Sequence, residues 1–346
     1  MQLAKLVLQC NDSFYYLRSR LRTRYSVNSI TGRAPGKLVL SGDYIALLDA
    51  PALVLAVNCL ASATLTNKSA GGWSVRSNVT PPVQFESLIA LSDTVDQQML
   101  KTLIEALPDT SKLPKHAELT LDTSAFYQGN EKLGVGSSAA ILVALAEVLS
   151  QATDHPYSTE SLIGLHNSLH GKNGSGLDIV AARIGGLTRF RNGSGVPVTL
   201  PAGLHMRFVF TGTSTSTEPM LARFRALVAA RTTEKISIWQ NLASAVAESL
   251  HDVALFLNNL AELNEFVLEF DRTTQLGIYG KAHHTALKIA SDVGVLYKPC
   301  GAGGGDTGVA LSDDSKALDA FEQNVKRAGL TLLNLKIENH GATVEL

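Results

Sequence analysis

The chain has 346 residues, a formal net charge of -1 at pH 7, 45% hydrophobic residues and 18% charged residues. This length favours two domains, and this composition excludes an intrinsically disordered chain. The balanced charge argues against a nucleic-acid partner, no apolar run is long enough for a membrane span, and 3 scattered cysteines exclude a disulfide framework, so we expect a cytoplasmic protein.

Residues 1–26 are expected to form an N-terminal extension. Within them, residues 14–25 contain four arginines and no acidic residue, which is similar to the composition of an organelle transit peptide. The alternative, an extension without a targeting role, is favoured because the amphipathic stretch is short.

Hydrophobic periodicity predicts strands in the first half of the chain and then a loop that enters a helix. Glycines flank this loop, and Gly185-Gly186 ends a later helix. The predicted strands are Leu38–Leu40, Ala52–Asn58, Ala61–Thr66 and Ala117–Asp122, and the predicted helices are Glu86–Leu107, Ser137–Gln151, Ser158–His170 and Asp178–Ile184.

The segment Asn192–Pro201 is rich in glycine, proline and serine, which predicts a domain boundary there. We therefore expect domains at 27–195 and 196–346, and a mixed α+β fold instead of a regular βαβ series. Beyond the boundary, the predicted helices are Thr217–Ala230, Glu234–Leu257, Leu260–Ile278, Ala282–Asp292 and Lys316–Ala328, and the predicted strands are His205–Gly212, Val309–Leu311, Leu330–Ile337 and Ala342–Glu345.

The stretch Lys132–Ala140 reads Lys-Leu-Gly-Val-Gly-Ser-Ser-Ala-Ala and leads directly into an apolar helical pattern. Glycines allow tight bends and close approach to a ligand, and the first amides of a helix bind phosphate. The string differs from the common Gly-x4-Gly-Lys-Ser/Thr nucleotide loop. The two interpretations are therefore a nucleotide polyphosphate site and a simple helix cap.

Two further glycine-bearing clusters accompany this loop. Ala34-Pro-Gly-Lys37 precedes Gly42-Asp43-Tyr44, and Gly301-Ala-Gly-Gly-Gly-Asp306 lies near the C-terminus. In this order and spacing, the three motifs resemble those of the GHMP kinase superfamily. The resemblance implies a two-domain fold with an N-terminal ribosomal protein S5 domain 2-like half and a C-terminal ferredoxin-like half. It also implies the cofactors ATP and Mg2+, and phosphoryl transfer to a small-molecule hydroxyl or phosphate.

Within the superfamily, the chain is most similar to phosphomevalonate kinases, by Tyr44, by Gly212–Thr217 and by the third motif. Mevalonate kinases carry a metal-binding Glu where this chain has Asn167. The resemblance thus implies transfer to 5-phosphomevalonate, giving 5-diphosphomevalonate in the mevalonate pathway of isoprenoid biosynthesis. The alternatives are a mevalonate kinase or another GHMP kinase, and a non-catalytic small-molecule sensor. Two residues depart from the family pattern: Asp43 replaces Glu and Val135 replaces Leu.

The same resemblance assigns roles to individual residues. Lys37 and Asp178 are the expected catalytic residues, and Ser137 is the expected magnesium ligand. The expected ATP-binding residues are Lys132, Gly134, Val135, Gly136, Ser137, Ser138 and Ala139. The expected substrate-binding residues are Lys37, Tyr44, Lys172, Ser175, Gly176, Asp178, Ser216, Thr217, Gly301, Ala302, Gly303 and Gly304.

Each role has a purely structural alternative. Asp178 could stabilise a helix N-terminus through the macrodipole, and Ser216 and Thr217 could be helix caps. Lys298 and Arg189 are weaker candidates for positive charge in the site, and Asp306 is expected only to shape a turn. The partner is expected to be a phosphorylated small molecule, with the protein a monomer or homodimer.

Two pairs of histidines and one cysteine have other interpretations. His166 and His170 stand four apart, and His283 and His284 are adjacent. In both pairs a polar helix face is expected instead of a metal site, because no third ligand is apparent. Cys300 is expected to be a small buried hydrophobic residue.

Overall fold

The computed structural model describes residues 28–78, 83–85, 95–169, 174–229 and 233–346. The predicted extension at 1–26, together with His170 and Lys172, lies outside these ranges. The strands are β1 Ser29–Ser41, β2 Ala52–Asn67, β3 Trp73–Ser77, β4 Val83–Phe85, β5 Ala117–Asp122, β6 Tyr127–Gln128, β7 Glu131–Lys132, β8 Leu187–Arg191, β9 Ser194–Val198, β10 His205–Phe210, β11 Leu296–Pro299, β12 Thr307–Ser312, β13 Thr331–Leu333 and β14 Thr343–Glu345. The helices are α1 Val95–Glu105, α2 Ser137–Thr153, α3 Thr159–Leu169, α4 Leu177–Ile184, α5 Thr217–Ala229, α6 Thr233–Glu248, α7 Val253–Thr274, α8 Lys281–Asp292 and α9 Ser315–Arg327, with 3-10 turns at Ile45–Leu48 and Ser124–Phe126.

The first sheet is built around the antiparallel pair β1 and β2. Its strand order is β14-β1-β2-β5-β3-β4, and β8 pairs with both β2 and β9. The two predicted strands at Ala52–Asn58 and Ala61–Thr66 are wrong as separate elements, because β2 runs without a break through both. The pairing of β1 with β2 shifts register between Pro35 and Gly36. Such a bulge accommodates Pro35, which has no backbone N–H to donate within a regular sheet.

Helix α2 packs against β1 and β2 and is buried along most of its length. Its apolar run reflects this position, because a helix buried on most sides needs no polar face. Gly32 on β1 permits the close approach, since a Cβ there would overlap the carbonyl oxygen of Ala144. Through this contact, the sheet fixes the axis of the helix whose N-terminus carries the Gly134–Ser138 loop.

The second sheet has the antiparallel order β11-β12-β10-β13, with α8 and α9 packed on it. The predicted helix break between Leu257 and Leu260 is wrong, because both residues lie inside α7. The break falls at residues 249–252, where the Asp252 side chain caps α7 by accepting a hydrogen bond from the Leu255 amide at 2.9 Å.

The C-terminal segment returns to the first sheet. Only residues 331–333 of the predicted strand Leu330–Ile337 form a regular strand, and β14 pairs with β1. On the way, the Gly186 amide donates to the Glu338 carbonyl at 2.7 Å, and the Glu338 amide donates to the Ala56 carbonyl at 3.0 Å. The expected domain division at 195/196 stays a prediction, while β9 continues the first sheet through Val198.

Within the described ranges, no helix is both long and apolar enough to cross a membrane.

Candidate active site

A cleft of about 520 Å³ lies where β1, the N-terminal ends of α2, α4 and α5, and the loop after β11 meet. The structure therefore brings together segments that are far apart in the sequence. The predicted site residues that line the cleft are Lys37, Tyr44, Lys132, Gly134, Gly136, Ser137, Ser138, Ala139, Ser175, Gly176, Asp178, Ser216, Thr217, Gly301 and Ala302.

Three predicted site residues of the described chain do not line this cleft. Val135 is buried behind the glycine loop, with 1% of its surface exposed. Gly303 and Gly304 face the segment before α8, where the Gly304 amide donates to the Ile278 carbonyl at 2.7 Å. At both positions the lack of a side chain allows close packing against this segment. Their position therefore does not support the prediction that they bind substrate. Lys172 lies outside the described residues.

The glycine loop is tied to β1. The Lys37 amide donates to the Val135 carbonyl at 2.8 Å, and a Cβ on Gly36 would lie only 2.6 Å from the same oxygen. Gly134 and Gly136 have φ values of 73° and 83°, a conformation that favours glycine. The Ala-Pro-Gly-Lys motif lies inside β1, and its Gly36 gives the glycine loop room to approach this strand.

The serines that follow the loop do not act as N-caps. Helix α2 begins at Ser137, and its N-cap position is Gly136, with no side-chain hydrogen bond capping the helix. Ser137 lines the cleft, and the Ser138 Oγ lies 3.3 Å from His166 Nε2. The simple capping alternative is therefore not how these hydroxyls are used, and His166 belongs to the wall of the cleft.

Lys37 and Asp178 face each other across the cleft. Lys37 Nζ lies 3.8 Å from Asp178 Oδ1, and the two side chains are 14% and 35% exposed. Asp178 stands in the first turn of α4, behind the N-cap Gly176, whose φ is 84°. The pair thus presents an ammonium and a carboxylate to the same space, where a reacting phosphate could be neutralised and oriented.

Asn167 occupies its side chain with the loop before α4. Its Oδ1 accepts from the Gly174 amide at 2.9 Å, and its Nδ2 donates to the Gly174 carbonyl at 3.4 Å. An amide in this double contact holds the loop in place and supplies no charge to a metal ion.

Asp43 joins the first motif to the third. Its Oδ2 accepts from Lys298 Nζ at 2.8 Å, and its Oδ1 accepts from the Gly301 amide at 2.7 Å. Lys298 also donates to the carbonyls of Val39 and Pro299 at 3.3 Å and 2.5 Å. Asp43, although shorter than the glutamate of the family pattern, therefore still reaches both Lys298 and Gly301. Lys298 is held in this buried ion pair and does not line the cleft. Arg189, which is exposed on β8, does not line it either.

Tyr44 forms a wall of the cleft through its ring. Its hydroxyl donates to the Ala302 carbonyl at 2.5 Å, and its ring centroid lies 5.0 Å from that of Phe224. Burial, and then the negative charge of Asp43, raise the pKa of this phenol far above its usual value, so it stays protonated. The side chain shapes the cleft and fixes Ala302.

Asp306 was expected only to shape a turn, but it also lines the cleft. Its Oδ1 accepts from the Thr215 amide at 3.0 Å, and only 8% of the residue is exposed. Burial raises the pKa of this carboxyl above its usual value, although the Thr215 amide and the charges of Lys37 and Lys132 oppose the shift. One sequence signal was available, namely a non-glycine residue that closes a glycine cluster, and its φ is in fact 59°.

His283 lies behind the third motif and is fully buried, so the predicted polar helix face is wrong for this residue. The Gly305 carbonyl can only accept, so Nε2 donates to it at 2.8 Å and Nδ1 accepts from the Tyr297 hydroxyl at 2.9 Å. Burial lowers the pKa of His283 to about 4.

Among the described residues, no group of three His, Cys, Asp or Glu side chains could hold a metal ion.

Cys300 is buried as expected, although it touches the cleft. Burial raises the pKa of its thiol to about 12, so the thiolate form is strongly disfavoured.

Known proteins resemble this chain in sequence and in fold. A family model described as the GHMP kinases N terminal domain matches residues 98–186. The curated phosphomevalonate kinase of Streptomyces sp. (strain CL190) is 25% identical over 363 aligned positions, which cover 89% of this chain and 96% of that protein.

Solved structures share the fold over most of the chain. The Lin0012 protein from Listeria innocua superposes with a TM-score of 0.79 at 19% identity, covering 92% of this chain and 99% of that one. Streptococcus pneumoniae phosphomevalonate kinase in complex with phosphomevalonate and AMPPNP superposes with a TM-score of 0.73 at 17% identity, covering 89% of this chain and 99% of that one. The chain therefore contains a GHMP kinases N terminal domain, shares its α+β fold with solved kinases over most of its length, and is a kinase.

Proposed function

We propose that the protein transfers the γ-phosphate of ATP to the phosphate of 5-phosphomevalonate, giving 5-diphosphomevalonate. One observation carries this proposal. The N-terminal ends of α2 and α5 open on the same cleft as Lys37, so two anion-binding backbone segments and a lysine share one space. A kinase whose acceptor is itself a phosphate needs two such anion sites.

The α2 end suits the nucleotide. Gly134 and Gly136 leave the backbone open to a polyphosphate, and Lys132 lines the cleft beside them. Phosphoryl transfer depends mainly on positioning and on charge stabilisation, and Lys37 supplies a cation for the transferred group. The AMPPNP bound by the similar Streptococcus enzyme supports ATP as the donor here.

Ser137 is the residue that would hold magnesium. Its hydroxyl lines the cleft at the first position of α2 and is not used as a cap. Mg2+ binds few protein ligands and takes much of its coordination from substrate phosphates and water. A single serine hydroxyl beside a polyphosphate loop fits that habit, and the ion would neutralise phosphate charge there.

The α5 end suits the phosphate of the acceptor. Ser216 and Thr217 line the cleft at the N-terminal end of α5, where the first amides of a helix have no partner within the helix. A phosphate acceptor is already ionised near neutral pH, so it needs no strong general base. Asp178 then orients Lys37, with which it is paired at 3.8 Å.

An alcohol acceptor, as in mevalonate kinase, fits less well. Asn167 stands in place of the metal-binding carboxylate expected there, and its amide is committed to Gly174. A non-catalytic sensor also fits less well, because Lys37, Ser137 and Asp178 are all kept at the cleft.

The test is ATP consumption with mevalonate, 5-phosphomevalonate and homoserine in parallel, with product masses recorded. We expect turnover with 5-phosphomevalonate alone and a product heavier by one phosphoryl group. Asp178→Asn, which keeps the size of the side chain, should lower kcat strongly without lowering the melting temperature. Turnover with an unphosphorylated alcohol would overturn the proposed acceptor, and no turnover with any of them would favour the sensor.

A further inference from the structure

We propose that Asp306 is a positioning residue that aligns the acceptor loop, residues 213–217, with the glycine loop around Gly134. This inference rests on the proposed function only for the identity of the acceptor. The contacts of Asp306 in the structure carry the rest of it.

The backbone of Asp306 is joined to the strand end before the acceptor loop and to the loop itself. Its amide donates to the Thr213 carbonyl at 2.8 Å, and its carbonyl accepts from the Thr211 amide at 3.0 Å. The Thr211 hydroxyl donates to the same carbonyl at 3.0 Å. In this arrangement Asp306 has a φ of 59°, and its side chain lies beside the loop.

The carboxylate continues the connection toward both sides of the cleft. Its Oδ1 accepts from the Thr215 amide at 3.0 Å, two residues before α5 begins. The same carboxyl lies against Gly134, where a Cβ would overlap it. One side chain therefore touches the loop before α5 and the loop before α2.

This arrangement has a consequence for the amides that follow Thr215. Because the carboxylate takes up the Thr215 amide, the chain is held in one orientation as it enters α5. The amides and hydroxyls of Ser216 and Thr217 then keep a fixed place relative to the glycine loop. In phosphoryl transfer a small displacement of one reactant is costly, since the two must be in line.

Two substitutions separate the hydrogen bond from the charge. Asp306→Asn keeps an oxygen that can accept from the Thr215 amide, and asparagine tolerates a positive φ. Asp306→Gly removes the acceptor, while glycine adopts the same φ without strain. Each variant is first compared with the wild type by thermal unfolding, and the full-length protein is used throughout.

The first measurement is amide hydrogen exchange of the peptide that contains residues 213–217, without any ligand. We expect exchange at least tenfold faster in Asp306→Gly and unchanged in Asp306→Asn. Equal exchange in all three proteins would overturn the inference. Because no acceptor is present, this result does not depend on the proposed function.

The second measurement is steady-state kinetics with ATP and 5-phosphomevalonate. We expect Asp306→Gly to raise the KM for 5-phosphomevalonate about tenfold and to change the KM for ATP less than twofold, with Asp306→Asn close to the wild type. An equal loss in both variants would assign the effect to charge and overturn the positioning role. An equal rise in the KM for 5-phosphomevalonate and for ATP in Asp306→Gly would show that Asp306 has only a structural role. A wild type that fails to use 5-phosphomevalonate overturns the proposed function, and the exchange data then judge Asp306 alone.

Discussion

The glycine clusters Gly134–Gly136 and Gly301–Gly305 look alike in sequence but have different roles in the structure. In the cluster Gly134–Gly136, both glycines line the cleft, and their backbone faces the space where a ligand would bind. In the cluster Gly301–Gly305, only Gly301 lines it, while Gly303 and Gly304 pack against the segment before α8. A glycine can thus be needed for approach to a ligand or for approach to the protein's own backbone.

The comparison predicts that changes around the first cluster mainly affect kinetics, and that changes in and behind the second mainly affect stability. Lys37 is the clearest case for the first cluster, because its stem packs over Gly136, where a Cβ would lie 3.2 Å from Lys37 Cγ.

Lys37→Met should lower kcat by about 10³-fold, because it removes a positive charge from the transferred phosphate. The melting temperature should stay within a few degrees of the wild type, since methionine fills the same space. Lys68→Met is the matched control, because Lys68 forms an exposed ion pair with Glu118 at 3.1 Å and does not line the cleft. Equal kcat values in the wild type and the Lys37 variant would remove Lys37 from the mechanism.

Gly303→Ala should lower the free energy of unfolding by about 3 kcal/mol, from a strained positive φ and from overlap with the Ile278 carbonyl. Gly301→Ala should lower it by only about 1 kcal/mol, because its φ is 83° but no atom lies within 4 Å of the added Cβ. Urea unfolding of both variants measures the difference. Equal losses would mean that the second cluster is not packed in the way described.

Acid should lower the free energy of unfolding through His283, which donates a hydrogen bond to the Gly305 carbonyl in the cluster Gly301–Gly305. Its pKa is about 4 in the folded protein against about 6.5 when unfolded, so the unfolded state binds more protons between these values. The contribution of neutral His283 to the free energy of unfolding is therefore complete above pH 6.5. It falls by roughly 3 kcal/mol as the pH drops toward 4.

The measurement is the free energy of unfolding against pH, compared with that of His283→Gln. The slope between pH 6.5 and 4 should become shallower in this variant. His251→Gln, at an exposed site, should keep the wild-type slope. A wild-type slope in His283→Gln would show that another group controls the acid sensitivity.

Ser216→Ala combined with Thr217→Ala should have the smallest effect, about a tenfold rise in the KM for the acceptor with ATP binding unchanged. The reason is that backbone amides of α5 remain to bind the phosphate when the hydroxyls are gone. Ser315→Ala, at the start of α9 and outside the cleft, is the control. A parallel rise in the KM for ATP would place the two hydroxyls on the wrong side of the cleft.

Much of the site could be predicted because its signals are local. Loop glycines and the starts of α2, α4 and α5 are encoded within a few residues of each other, so Gly136, Asp178 and Thr217 were placed correctly on their elements. The helix break at residues 249–252 was missed because apolar periodicity continues on both sides, and the single sign of a new helix was the cap Asp252.

Contacts between distant residues could not be predicted from the sequence. Asp306 and Thr215 are separated by 91 positions, and Lys298 and Asp43 by 255. No local pattern distinguishes an aspartate that ends a turn from one that accepts a distant amide. For the same reason, the sequence suggests Lys298 as a cation of the site, whereas in the fold Lys298 forms a buried ion pair with Asp43.

The return of β14 to the first sheet also affects how the chain can be made in a cell. β1 is an early strand, but its neighbour on one side is Thr343–Glu345, which follows the whole second sheet along the chain. Until the ribosome has added these residues, this edge of β1 lacks β14 and offers free backbone groups to other chains. Premature termination just before residue 343 would leave that edge unpaired, so such a chain is expected to aggregate more readily than a mild loss of stability would explain.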